Sequence, residues 1–226
     1  MCDQWCTAFV QRVLPIMEIA NKRVVEVGSH NVNGSARPLI EALGPAEYVG
    51  VDITPGLGVD VVLDAEHLLD RFEPGSFDVV ISTEMVEHVR DWRKVFNNMK
   101  RLCAPGGWVV VTTRSRGFQY HGYPNDFWRY EMSDMMAIFA DFSIEVLEKD
   151  PNSPGVYVAA RERSMTFTDL DPIALYSMCT DDRRIDVSDF EVWKKLAAER
   201  IGAAKRRVGL WVRHDLRSAA CPTNCD

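Results

Sequence analysis

The stretch VVEVGSHNVNG at residues 24–34 constrains this chain more than any other. Val24, Val25 and Val27 are β-branched and favour a buried, extended strand. Gly28 lets the chain turn sharply off that strand. Gly34 lets the next helix begin close to whatever lies above it. Such a loop suits a nucleotide-like ligand, and NAD, ATP and sulfonium cofactors make different demands on it.

The surrounding pattern sets the architecture. Strands are predicted at 23–27, 48–51, 59–63, 77–81, 108–112, 142–148 and 156–161. Helices are predicted at 4–20, bent at Pro15, and at 35–43, stopped by Gly44 and Pro45. Another spans 91–102, where Trp92, Val95, Phe96 and Met99 recur at helical spacing. A short one, capped by Ser133, runs to Phe139. Strands alternating with helices and closing on a hairpin predict an open α/β fold with a mostly parallel sheet and one antiparallel strand near its edge. In such sheets the ligand lies beyond the carboxyl ends of the strands, which gathers Gly28, Asp52, Asp64 and Ser82 to Glu84 around one cleft.

Charge narrows the partners. The chain of 226 residues carries −7, yet Arg183 to Arg217 holds ten Lys and Arg against five Asp and Glu, a net +5 that leaves −12 for the remainder. An acidic body does not grip a polyanion, so no nucleic acid is expected. No apolar run approaches the roughly 20 residues of a membrane span, so no membrane partner is expected. The opening MCDQWCTAF lacks the basic start of a signal peptide, and a cytoplasmic location is expected. Cys2 and Cys6, like Cys221 and Cys225, stand three residues apart where zinc pairs usually stand two, and free thiols are the expected state.

The loop distinguishes the cofactors. Gly28 is followed by five non-glycine residues, so the G-x-G-x-x-G of NAD binding is missing, as are G-K-[ST] and a Tyr-x-x-x-Lys pair. What remains is Glu26 on the first strand, the glycine-bounded loop, Asp52 closing the second strand and Asp64-Ala65 after the third. With LCAPGGWVVVTTR at 102–114, these residues resemble the class I S-adenosylmethionine-dependent methyltransferases, of the methyltransferase type 11 kind, over about residues 20–163. The resemblance implies a Rossmann-like seven-stranded sheet of order 3-2-1-4-5-7-6, its last strand antiparallel, with helices on both faces. It implies S-adenosylmethionine as cofactor. Glu26 and Gly28 then face its methionine part, Asp52 its ribose hydroxyls, Asp64 and Ala65 its adenine, and Ser82, Thr83 and Glu84 its sulfonium side. Ser29, His30, Gly34 and Ile53 complete the expected wall. His30 departs from the family loop, standing where a middle glycine is usual in a loop two residues longer.

Methyl transfer needs alignment and, for a hydroxyl acceptor, a base. His88 in STEMVEHV and His121 in the loop YHGYPNDFWRY are the candidates. Arg114, Tyr120 and Tyr123 are candidate acceptor contacts, whereas Trp128 reads as a core anchor. No metal is assigned. The alternative is Glu84-x-x-Glu87-His88, which resembles a metal-ligating E-x-x-E-H of methyltransferases of ubiquinone synthesis and of small-RNA termini, with His121 as a further ligand. The expected activity is transfer to a hydroxyl or amine of a small molecule such as a sugar or natural product, against the alternative of a non-catalytic scaffold. Residues 1–163 are expected to form the methyltransferase domain, and 164–226 a helical extension serving as cap, homodimer contact or peripheral element.

Overall fold

The computed structural model describes residues 3–122 and 125–202. Tyr123, Cys2, Cys221 and Cys225 lie outside the described residues. Two compact units are found, Met1–Asp186 and Val187–Asp226.

In the first unit, seven strands form one sheet: β1 (Arg23–Val27), β2 (Glu47–Asp52), β3 (Val61–Val62), β4 (Phe77–Thr83), β5 (Cys103–Arg114), β7 (Phe142–Lys149) and β8 (Gly155–Glu162). Their order is β3-β2-β1-β4-β5-β8-β7, which is the expected order once the short β6 (Trp128–Arg129) is set aside. The first five are mutually parallel. β8 runs antiparallel to both β5 and β7. The centre is sealed by Val79, Val80 and Ile81 of β4 and Val109, Val110 and Val111 of β5, all fully buried. A continuous apolar run is what a parallel strand covered on both faces requires. Phe9, Val10 and Val13 of α1 (Gln4–Met17) belong to the same core.

Several boundaries differ from expectation for local reasons. α1 continues past Pro15, where only one helical hydrogen bond is forfeited, and stops at Glu18 in the left-handed region, φ 50°. α2 is confined to Arg37–Glu41. The third strand contracts to two residues because Asp60 is drawn into the loop, accepting from Gly50 N at 2.7 Å and Arg37 Nη1 at 2.8 Å. β5 starts five residues early, since Cys103 pairs with Phe77 across a register shift. α4 (Trp92–Leu102) is capped by Asp91, which accepts from Lys94 N at 3.1 Å. α5 (Met132–Ile138) is capped by Glu131 in a reciprocal box with Asp134, not by Ser133. A further helix, α3 (Leu68–Arg71), follows a 3-10 turn at Ala65–His67.

Residues 164–186 are not helical. β9 (Leu175–Ser177) and β10 (Asp182–Arg184) form a three-stranded sheet with β6. The second unit, in its described part, is a helix over 189–202. Ser188 and Glu191 cap it reciprocally, Ser188 N donating to Glu191 Oε2 at 2.8 Å and Glu191 N to Ser188 Oγ at 3.3 Å. No helix among the described residues is long and apolar enough to cross a membrane.

Candidate functional site

The carboxyl ends of β1, β2, β3 and β4 open into a cavity of ≈ 290 Å³. Gly28, at the end of β1, has φ +84°, and its N–H donates to Val51 O at 2.8 Å. A Cβ there would lie 2.6 Å from the Met85 side chain, so backbone conformation and space both demand glycine.

Asp52 closes β2. Its Oδ1 accepts from Thr54 N at 2.9 Å and Thr54 Oγ1 at 3.0 Å, and its Oδ2 from His30 N at 3.1 Å. A carboxylate offers about four acceptor positions, so roughly one remains, on Oδ2. The His30 ring packs on Gly56, where a Cβ would approach Nε2 to 2.2 Å. The family's missing middle glycine is therefore compensated by a glycine in the loop after β2. Asp64 accepts from Glu66 N at 2.9 Å and starts the 3-10 turn, whose Ala65 and Glu66 carbonyls each accept from Asn98 Nδ2 of α4 at 3.0 Å.

Of the expected cofactor residues, Gly28, His30, Asp52, Ile53, Asp64, Ala65 and Glu84 line the cavity together. Glu26, Ser29, Gly34, Ser82 and Thr83 are not in its lining. The Glu26 carboxyl, 2 % exposed, accepts from the Tyr48 hydroxyl. Burial pushes its pKa up to about 7, against the opposing hydrogen bond from Tyr48. Ser29 and Ser82 are buried with hydroxyls that have no hydrogen-bond partner among the described residues. Gly34 N donates to Asn31 Oδ1 at 3.1 Å in the loop beyond.

The turn after β4 carries the titratable cluster. His88 lines the cavity and its Nδ1 lies 2.7 Å from Asn125 O. A carbonyl only accepts, so Nδ1 carries the proton and Nε2 of neutral His88 is left with its lone pair. That Nε2 is 3.8 Å from Glu87 Oε1, and His121 Nε2 is 3.5 Å from the same oxygen. The two rings meet edge to face at 4.7 Å. Glu87 is fully buried, and its other oxygen accepts from Thr113 Oγ1 at 2.8 Å. His121 Nδ1 faces Asp126 Oδ2 at 3.0 Å, and Asp126 in turn pairs with Arg129 through contacts of 2.5 and 2.7 Å. Burial disfavours a charged His121, but the hydrogen bonds of Asp126 and Glu87 prevail and lift its pKa to about 9. Burial likewise opposes the charge of Asp126, yet Arg129 and His121 hold it below the usual carboxylate range.

Two expected acceptor contacts are placed elsewhere. Arg114 is 5 % exposed and its guanidinium is committed to Glu84, Asp150 and Asp3, so the structure makes it a buried brace and not an acceptor contact. Tyr120 sits beside His121 but outside the cavity lining. Trp128 is buried, as a core anchor should be, with Nε1 donating to Arg90 O at 3.0 Å. Thr54, Met85, Asn125 and Asp126 were not legible as site residues. Only the i,i+3 spacing of Asp126 and Arg129 hinted at a local pair.

Comparison with known proteins adds to this geometry. A family model described as a methyltransferase domain matches residues 3–149. A ubiquinone biosynthesis O-methyltransferase of Burkholderia vietnamiensis is 38% identical over 79 residues, 35% of this chain and 33% of that protein. A chloroplastic tocopherol O-methyltransferase of Arabidopsis thaliana is 33% identical over 106 residues, 41% of this chain and 30% of that protein. The chain thus matches about a third of the length of these curated relatives. Among solved structures, the 1,6-didemethyltoxoflavin-N1-methyltransferase of Burkholderia thailandensis shares the fold with a TM-score of 0.56 at 11% identity, over 70% of this chain and 78% of that one. An S-adenosylmethionine-dependent methyltransferase from Mesorhizobium loti gives 0.51 at 18% identity, over 67% of this chain and 96% of that one.

Proposed function

This chain belongs to the methyltransferase-domain family, with S-adenosylmethionine as its cofactor, and from that premise we propose that it methylates an oxygen of a small molecule, with a nitrogen acceptor as the alternative. One observation carries the reading. A single cavity is lined by the Gly28 turn, Asp52 and His88 together.

The residues present fit the cofactor. Gly28 leaves open the space that a side chain would take against Met85. The spare acceptor position on Asp52 Oδ2 suits one ribose hydroxyl, and the second is reached if Thr54 Oγ1 gives way. Asp64 and Ala65 border the adenine end, and exposed Ile53 supplies apolar contact there. When bound, the cofactor supplies an electrophilic methyl on a positively charged sulfur.

The chain's own part is proton handling and alignment. His88, whose imidazole lines the cavity, takes the acceptor's proton at Nε2, a buried atom that is uncovered as the acceptor seats, and the Glu87 carboxylate 3.8 Å from it stabilises the imidazolium that forms. His121 is already protonated at neutral pH, so it acts as a fixed cation bracing Glu87 and not as a base. Relatives named as a ubiquinone biosynthesis O-methyltransferase and a tocopherol O-methyltransferase support an oxygen acceptor. Incubation with methyl-labelled donor and a panel of small hydroxyl and amine compounds tests this. Labelled product that disappears in His88→Gln is expected. Label transfer undiminished in His88→Gln would overturn the assignment of the base.

A second reading is favoured by the same cluster. Ligand atoms of Glu87, His88 and His121 all lie within 4.8 Å of one another. Each imidazole has its other nitrogen held by an outer partner, Asn125 O or Asp126, the arrangement that orients metal-bound histidines. These three would hold a divalent ion supplying Lewis acidity to the acceptor oxygen. Glu84 would stand outside the set, since Arg114 takes its carboxylate. Activity abolished by EDTA and restored by one divalent metal would favour this reading, and EDTA-insensitive transfer would remove it.

A further inference from the structure

Glu84 follows β4 in the cavity lining with φ +54°, a left-handed conformation unfavourable for a residue bearing a Cβ. Such a conformation persists only where the surroundings over-determine it. Its N–H donates to Thr112 O at 2.9 Å, and its carboxyl pairs with Arg114 Nε. Burial and the charge of Glu87 push the Glu84 carboxyl up, and Arg114 is the neighbour that opposes them.

The remaining donors of Arg114 reach two further segments. Nη1 donates to Asp150 Oδ2 at 2.9 Å and Ser153 Oγ at 2.8 Å, and Nη2 to Asp3 Oδ2 at 3.2 Å. The guanidinium also lies 4.3 Å from the centre of the Phe118 ring. Each acceptor is itself anchored. Asp150 Oδ1 takes Asn152 N at 2.8 Å in the turn between β7 and β8. Asp3 Oδ1 caps α1, accepting from Trp5 N at 2.9 Å and Cys6 N at 3.0 Å. One planar cation therefore joins the turn after β4, the β7–β8 turn, the loop after β5 and the start of α1. A guanidinium has its donors in a fixed fork, so four fixed partners leave Glu84 one place to be.

We propose that Arg114 is a positioning residue for the donor site: by pairing with the buried Glu84 carboxyl it holds the turn at Glu84 in the cavity wall, and through Asp3 it makes the seating of α1 part of cofactor binding. The proposal rests on the reading that this cavity takes S-adenosylmethionine. Fixing the turn at Glu84 shapes the wall against which the donor packs in the bound state and in the transition state alike, so its loss removes uniform binding, which raises KM while leaving kcat in place.

Steady-state kinetics of the full chain with varied S-adenosylmethionine test this in Asp3→Asn, Arg114→Lys and Arg114→Met, alongside thermal melts. Asn caps a helix about as well as Asp, so Asp3→Asn keeps α1 while removing one anionic partner of Arg114. Asp3→Asn is expected to raise KM roughly threefold and Arg114→Met roughly tenfold or more, with kcat within about twofold. Arg114→Lys should recover part of the loss. Asp3→Asn should melt within a few degrees of wild type, so its KM change cannot come from unfolding. A fall in kcat at constant KM, or an unchanged KM in Asp3→Asn and in the folded fraction of Arg114→Met, would overturn the proposal. Failure of the wild-type chain to bind S-adenosylmethionine would overturn the reading on which it rests.

Discussion

At Gly28 a conformational and a steric demand coincide, and either alone excludes a side chain. Gly28→Ala adds the left-handed cost of about 1–2 kcal/mol to a clash with Met85, so it should lower the melting temperature and abolish binding of S-adenosylhomocysteine. Calorimetric titration beside a thermal melt checks both. Glu26 makes a prediction of a different kind. Its folded pKa of about 7 lies above that of an exposed carboxylate, so the folded state keeps a proton that the unfolded chain loses earlier. Stability should therefore fall as pH rises through the usual carboxylate range toward about 7, and level off above it. Glu26→Gln should remove that slope and make the protein more stable at pH 8, by up to about 3 kcal/mol. Denaturant midpoints between pH 5 and 8 measure it, and an unchanged slope would mean that Glu26 is charged in the folded state. Gly28, Asp52 and Asp64 were legible because each stands at or just past the end of a strand that the apolar pattern marks. Arg114 was misread because it opens an aromatic loop, whereas its place in the ladder beside β8 buries it.

In the proposed mechanism the working element is the turn after β4, and the segment 125–130 clamps it. Phe127 N donates to Glu87 O at 2.9 Å, Trp128 Nε1 to Arg90 O at 3.0 Å and the Tyr130 hydroxyl to Val86 O at 3.1 Å. Asp126 and Arg129 fix the shape of that clamp from inside. Removing one member of a buried ion pair leaves the other uncompensated, so Asp126→Ala should cost about 3–5 kcal/mol and lower methyl transfer through loss of the Asn125–His88 contact. Urea denaturation and an activity assay at the same temperature check the two effects. A variant as stable and active as wild type would show that the clamp is dispensable. None of this was readable from periodicity. β6 is two residues long, and β9 and β10 three each, too short for alternation to show, and β6 pairs with β9 across about fifty residues of sequence. Long apolar strands such as β4 and β5 were found because their burial is written into every residue.

For the molecule as a whole, the sheet order follows from the alternation of elements and the handedness of crossovers, and it places the cavity at the carboxyl ends of the parallel strands. Every described residue lining the cavity falls within Met1–Asp186. A chain ended after Asp186 should accordingly melt cooperatively and bind S-adenosylhomocysteine with wild-type affinity, and loss of binding would assign residues 187–226 a part in the site. The acceptor was not legible, because the loops bordering the cavity follow paths set by particular side-chain bonds and not by a pattern. The central claim is that the Gly28–Asp52 cavity holds the methyl donor. It is tested most directly by calorimetric titration of the full chain and of Asp52→Ala with S-adenosylhomocysteine. Saturable one-to-one binding by the wild type, weakened at least tenfold in Asp52→Ala, is predicted. Absence of binding by the wild type, or equal affinity in the variant, would contradict it.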